Sequence, residues 1–246
     1  MSSPTDVEAL CFDMYCTTHD THSVTAALRE ATDRPDEVID EVFHLWRETK
    51  IDPSRKIALM DETSGSEREN YVTWWELMTR ALDYALEYYG IDLDEETREE
   101  VIDAYDHLDP YEPSWESFER LQEAGYELYI LSNGNYDMLD RLAGNTGQDE
   151  YLDGLISGKE ARAFKPHPAI YETAIDTLDR DPEELLMVAS HSWIPRGRRT
   201  SVYTRPSSTA GTCRSNRSVS RTRPSISPSS PSKNWPTNSN DRDGPH

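Results

Sequence analysis

Asp13 closes a short apolar run, Ala9-Leu-Cys-Phe-Asp13, and Thr17 follows four residues later. In open α/β sheets, ligands bind at the carboxyl ends of the strands. A carboxylate placed there can attack carbon or phosphorus and carry a covalent intermediate. It can equally do no more than cap a turn, and the segment alone leaves both readings open. A nucleophilic carboxylate in a dry site must stay ionised, which calls for a cation beside it. Lys165, in Phe164-Lys165-Pro166, is the candidate. It stands just before a helix whose first turn favours proline, where the helix dipole disfavours a cation, so a lysine there wants another reason. Thr17 and Ser132 can donate hydrogen bonds to the same carboxylate or to a bound anion. Asn133-Gly134 marks a strand-to-helix turn whose backbone N–H groups suit an anion. Arg47, in Leu45-Trp46-Arg47, offers a planar fork for a carboxylate or a departing anion; a solvated helix arginine is the alternative. The histidines show no ligand spacing, and His19 and His22 read as loop residues, so no metal site is expected. A phosphoryl-transfer enzyme of this architecture wants a second acid two residues after the nucleophile, to protonate the leaving group and help hold magnesium. That position is Tyr15, which leans away from phosphate and from a metal.

The elements that must position these residues follow from apolar periodicity. A buried first strand precedes Asp13. Helices are expected at Val24–Ala31, Glu37–Thr49, Glu69–Tyr89 and Glu95–Leu108. The third carries Trp75, Met78, Leu82 and Leu86 on one face and ends at Gly90 in a C-cap position. Helices therefore fill almost all of residues 23–108, and this stretch reads as a helical insert between two parts of a sheet domain. The α/β rhythm then returns. Helices are expected at Pro113–Ala124, Tyr136–Ala143 and Pro166–Leu178, and strands at Tyr126–Leu131, Gly154–Ser157 and Leu185–Ala189. Polar residues gather at three strand ends: Asp13, Ser132/Asn133 and Ser190/His191. That is how a site at the carboxyl edge of a parallel sheet would read.

The chain of 246 residues is long enough for a core plus a cap, and its net charge of −22 is unevenly spread. Residues 194–246 carry net +8 and residues 1–193 net −30. The acidic part disfavours specific nucleic-acid and anionic-membrane partners and suits solubility at high salt. Three cysteines without metal or disulfide spacing fit a reducing cytoplasm. No signal peptide is expected, and no apolar run approaches the length of about 18 residues that a membrane span needs. From Ile194 the chain turns Ser/Thr/Arg/Pro-rich, with no periodicity that could bury a face. A natural disordered tail is one reading; an out-of-frame translation is the preferred one. Read one base on, with G or C at third positions, the Trp193–Ile194 junction gives Asp and Gly197–Thr200 gives Ala-Ala-Asp. Ser232–Asp241 gives an acidic amphipathic helix like those upstream.

Taken together, residues Ala9 to Trp193 resemble the type II L-2-haloacid dehalogenases of the haloacid dehalogenase (HAD) superfamily. Phe-Asp-Met-Tyr-Cys-Thr resembles the nucleophile motif and Leu45-Trp46-Arg47 the cap arginine segment. Leu131-Ser132-Asn133-Gly134 is similar to the second motif, and Lys165-Pro166 with Tyr171 to the third. The resemblance implies an α/β fold: a HAD-like Rossmannoid parallel-sheet core with a helical cap inserted after the first strand. The core would span residues 1–20 and 109–193 and the cap 21–108, with 194–246 as the tail. It implies that Asp13 attacks C2 of a short L-2-haloacid and displaces halide, and that water hydrolyses the ester to a D-2-hydroxy acid. Thr17, Lys165 and Tyr171 would hold and polarise Asp13. Ser132 and Asn133 would bind the substrate carboxylate and Arg47 would receive the halide. Tyr15 and Trp193 would line the apolar pocket, with His191 also among the substrate-binding residues. No cofactor is implied, and homodimers are common for such folds. Cys16 replaces the usual glycine of the nucleophile loop, and Glu48 stands where glutamine is common. Ala189 and His191 replace a serine and an asparagine. Ile194 replaces the Asp that helps activate the hydrolytic water. A HAD-type phosphatase and a catalytically inactive relative are the alternatives.

Overall fold

The computed structural model describes residues 7–60, 71–112 and 114–190. The first apolar run forms β1 (Ala9–Phe12), buried along its whole length as expected of a strand covered on both faces. A short strand β2 (His19–Asp20) follows, then α1 (Thr25–Ala31), α2 (Asp36–Met60), α3 (Trp74–Tyr88) and α4 (Glu95–Asp103). β3 (Asp109–Pro110) pairs antiparallel with β2 and brings the chain back beside its departure point. Then come α5 (Ser114–Glu123), β4 (Glu127–Ser132), α6 (Tyr136–Thr146), β5 (Gly154–Ser157), the single turn α7 (Gly158–Ala161), α8 (Pro168–Leu178) and β6 (Leu185–Val188).

The described strands β5, β4, β1 and β6 form one parallel sheet in that order. Phe12 lies level with Ile130 of β4 and Val188 of β6, so the residues after these three strands emerge at one rim. The strand order places β1 between two neighbours, and Asp13 therefore leaves from the middle of that rim. Cys11, Leu131, Ile156 and Met187 from the strands bury against Ile170 and Ala174 of α8 and anchor one side of the sheet.

The insertion is helical as the apolar periodicity requires, with differences in three of its helices. The helix expected over Glu37–Thr49 runs on to Met60, through Pro53. Proline removes one backbone hydrogen bond and disfavours helical geometry before it. Here Lys50, Ser54 and Ala58 lie buried on one face beyond the expected end, and Ser54 donates its hydroxyl to the Ile51 carbonyl at 2.7 Å. Tertiary burial thus overrides the local break. A second difference is in α3, where Trp74 and not Trp75 joins Met78, Leu82 and Leu86 on the buried face. Thr73 and Glu76 cap that helix reciprocally, each side chain accepting the other's backbone N–H. Its far end closes on Gly90 at φ +61°, with Gly90 and Ile91 donating back to the Glu87 and Leu86 carbonyls, as the expected C-cap demands. The Glu95–Leu108 helix ends sooner, at Asp103, and tightens into a 3-10 turn over Ala104–His107.

Candidate active site

Asp13 follows β1 directly and is 5 % exposed. Its own N–H donates to the Val188 carbonyl at 2.9 Å, extending the β1–β6 ladder and fixing the backbone from which the carboxylate projects. Lys165, 1 % exposed, donates from Nζ to Asp13 Oδ1 at 2.7 Å and to the Leu131 carbonyl at 2.7 Å. The Met14 N–H donates to the same Oδ1 at 3.0 Å. Burial pushes the Lys165 ammonium below its ordinary pKa, and the Asp13 carboxylate pulls it back up. A buried pair of this kind holds only while both partners are present, since either alone would be an uncompensated charge.

Asn133 secures the lysine. Its side-chain Oδ1 accepts the Lys165 backbone N–H at 2.7 Å, so the turn after β4 grips the loop before α8. Ser132, fully buried at the end of β4, accepts the Gly134 N–H at 3.4 Å. These two residues line the cavity together with Asp13 and Lys165, as the strand-end pattern predicts.

Thr17 is engaged elsewhere. Its hydroxyl accepts the Ser190 N–H at 3.0 Å and donates to Ser190 Oγ at 3.3 Å, while Ser190 Oγ donates to the Cys16 carbonyl at 2.6 Å. It ties the loop after β1 to the segment after β6. Tyr171 packs on α8 against the core with its hydroxyl buried and unpartnered among the described residues. Burial and then the Asp13 charge push its phenol upward, which keeps it a neutral donor. Neither Thr17 nor Tyr171 is among the cavity walls. His191 and Trp193 lie outside the described residues, as does the whole of 194–246.

Most of the remaining walls come from the insertion. Arg47, Lys50, Ile51 and Ser54 line the cavity from α2 at helical spacing, one face of one helix. Trp74 lines it from the first turn of α3, Tyr15 and Cys16 from the loop after β1, and Thr21 from the turn after β2. Tyr15 is 7 % exposed and stacks on Trp74 at 6.3 Å between ring centroids, so the position two residues after Asp13 is filled by an aromatic wall. Burial first, then the charges of Asp106 and Asp13, push its phenol upward. Cys16 sits at φ +60°, the left-handed region a glycine would enter without strain.

The sequence reading missed Lys50, Thr21, Ser54 and Trp74. Lys50 lay one residue beyond the expected helix end, although its spacing of three from Arg47 carried the signal. Trp74 lost to Trp75 because a two-tryptophan step leaves the helical phase to be settled by packing.

Comparison with known proteins identifies the family. Residues 7–191 match the haloacid dehalogenase-like hydrolase family. The chain is 34% identical over 187 residues to "(S)-2-haloacid dehalogenase 1" of Pseudomonas sp. (strain CBS-3), covering 76% of this chain and 78% of that one. It is 33% identical over 187 residues to "(S)-2-haloacid dehalogenase 4A" of Burkholderia cepacia, covering 76% of each. Among solved structures, the L-2-haloacid dehalogenase from Xanthobacter autotrophicus with chloropropionic acid covalently bound superposes with a TM-score of 0.67 at 31% identity. That match covers 76% of this chain and 71% of that one.

Proposed function

The chain belongs to the haloacid dehalogenase-like hydrolases, and from that premise we propose that it hydrolyses short L-2-haloacids to D-2-hydroxy acids through an ester on Asp13. One observation carries this reading: a buried carboxylate at the middle of the sheet rim, paired with a buried lysine ammonium at 2.7 Å. A carboxylate desolvated in this way is a stronger nucleophile than one in water, and its geometry is fixed before substrate arrives.

In the first step an Asp13 oxygen forms a bond to C2, and the carbon–halogen bond breaks with its electron pair leaving on the halide. Attack from the side opposite the halogen inverts C2. In the second step water adds to the Asp13 carboxyl carbon, and the ester C–O bond breaks toward the 2-hydroxy acid. Asp13 is regenerated, and one proton and one halide are released for each water consumed. Lys165 stabilises the anion before attack and polarises the ester carbonyl afterwards. Asn133 acts one step removed, by holding the Lys165 backbone. Ser132 and the N–H groups after β4 are disposed to take the substrate carboxylate. Arg47 is disposed to receive the halide, and Tyr15 with Trp74 supplies a wall that fits a short alkyl chain.

The test is chloride release from L-2-chloropropionate, run alongside magnesium-dependent phosphate release from an aryl phosphate. Chloride without phosphate is expected. Asp13→Asn is expected to reduce chloride release to background. In heavy-oxygen water the label should enter the Asp13 peptide, because water attacks the enzyme's carboxyl carbon. Label found only in the product would refute the ester.

A further inference from the structure

The cavity contains more positive charge than a simple 2-haloacid needs. Asp13 is matched by Lys165, yet Arg47 and Lys50 also line the walls. A monocarboxylate substrate offsets one of these two cations. The chemical step changes nothing in this count, because the halide gains the charge that Asp13 loses on becoming an ester.

Lys50 is the unusual member. It is 3 % exposed and buried in an aromatic cage, with Nζ 4.1 Å from the Tyr105 ring centroid, 5.2 Å from Trp46 and 5.8 Å from Trp74. Among the described residues it donates to the Tyr105 hydroxyl. The ionisable groups whose fields reach it are the Cys16 thiol and the Arg47 guanidinium. Among the described residues no carboxylate lies within ion-pairing distance of it. An ammonium has three donors, and buried donors are almost always satisfied. A second donor is open nearby: Trp74 is 5 % exposed, lines the same cavity, and its indole N–H has no partner among the described residues. Two buried donors, one of them a lysine ammonium, thus stand among the walls of one cavity.

We propose that Lys50 and the Trp74 indole N–H form a second anion-binding corner of the cavity, and that it takes the distal carboxylate of a dianionic substrate, a short 2-halo dicarboxylic acid. The substrate class rests on the dehalogenase reading of Asp13; the corner itself does not. A carboxylate fits because it accepts from both donors at once and closes the charge balance left open by a monocarboxylate. The aromatic cage fixes the ammonium in advance, so little side-chain freedom is lost on binding.

The full chain is titrated below pH 7, where Lys50 carries its proton, with the unreactive anions succinate and propionate, followed by tryptophan fluorescence or calorimetry. Succinate is expected to bind at least about tenfold tighter, the scale of one charge-assisted hydrogen bond. Lys50→Met should abolish that preference and Lys50→Arg should retain part of it. Trp74→Phe, which keeps an aromatic side chain and loses the N–H, should weaken succinate more than propionate. In turnover, 2-chlorosuccinate should be favoured over 2-chloropropionate through KM, and Lys50→Met should reverse the order. The proposal is overturned if succinate binds no tighter than propionate. It is also overturned if the preference survives in a Lys50→Met protein that still melts cooperatively, or if that variant weakens only inhibition by chloride, which would make the corner a halide site. Should Lys50→Met not fold, an unaltered preference in Trp74→Phe overturns it. Succinate preference without chloride release from either haloacid would refute the dehalogenase reading and leave the corner standing.

Discussion

At the scale of single residues, the site depends on how two lysines are partnered. Lys165 is compensated by Asp13, and the two together tolerate burial. Replacing it by Met leaves a carboxylate stranded at the rim, a change that costs about 3–5 kcal/mol when the remaining charge is buried. Lys165→Met should therefore lower the melting temperature sharply and also abolish chloride release, whereas a purely chemical role would leave the melt in place. Lys50 has no acid beside it among the described residues, and burial pulls it from 10.5 down to about 7. The sign follows from proton counts. Between pH 7 and 10.5 the unfolded lysine holds its proton and the folded one does not, so stability rises with pH across that window. Below it both forms are protonated and the burial penalty is fully present. Lys50→Met should flatten this rise in the pH profile of the melting temperature, while anion affinity at the Lys50 corner in the native protein should fall as pH rises through 7. Cys16 shows a third kind of departure, a side chain held at φ +60° where a tight loop calls for glycine. Strain of this kind is stored where the surroundings over-determine the backbone, here by Thr17, Ser190 and the Cys16 carbonyl.

At the scale of elements, the site is a meeting of turns. The β4–α6 turn carries Ser132 and Asn133, and its glycine has no room to spare. A Cβ on Gly134 would lie 2.8 Å from Leu139 Cδ2 and 3.0 Å from the Tyr15 hydroxyl. Leu139 can give way at its tip, but Tyr15 is stacked on Trp74 and meets Tyr105 edge-on. Gly134→Ala should cost about 1–3 kcal/mol by overpacking and raise KM by displacing the Tyr15 wall, which calorimetry and steady-state kinetics on the same sample would show. Much of this level was legible beforehand. Short apolar runs and strand-end polar residues located the rim, and Gly90 marked its helix end. The continuation of α2 through Pro53 was not legible, because its cause is burial of Lys50 and Ser54 against residues distant in sequence. The phase of α3 was hidden for the same reason: Trp74 and Trp75 are interchangeable until a neighbour chooses one.

At the scale of the whole molecule, two compositions share one chain. Residues 1–193 carry the acidic surface and the family's motifs, and residues 194–246 carry a basic composition without periodicity. The tail lies outside the described residues, and its out-of-frame origin is a proposal from the sequence. It predicts that the DNA through codon 193 holds a shifted frame. It also predicts that a frame-restored chain melts more cooperatively and releases chloride faster than the chain as written. An intact frame in good-quality DNA would end that explanation.

Asp13, its candidate lysine and the strand-end rim were legible in the sequence alone, because each is marked by residue type at a strand or helix boundary and by the short apolar runs of a parallel sheet. Tertiary structure decided the rest. It assigned Asn133 to the Lys165 backbone and Thr17 to Ser190, and it placed Lys50 in a cage built from Trp46, Trp74 and Tyr105. Those assignments depend on which side chains meet after segments far apart in the chain are packed together. A hydroxyl or an ammonium takes whichever partner burial leaves within about 3 Å, and that partner is set by packing and not by spacing.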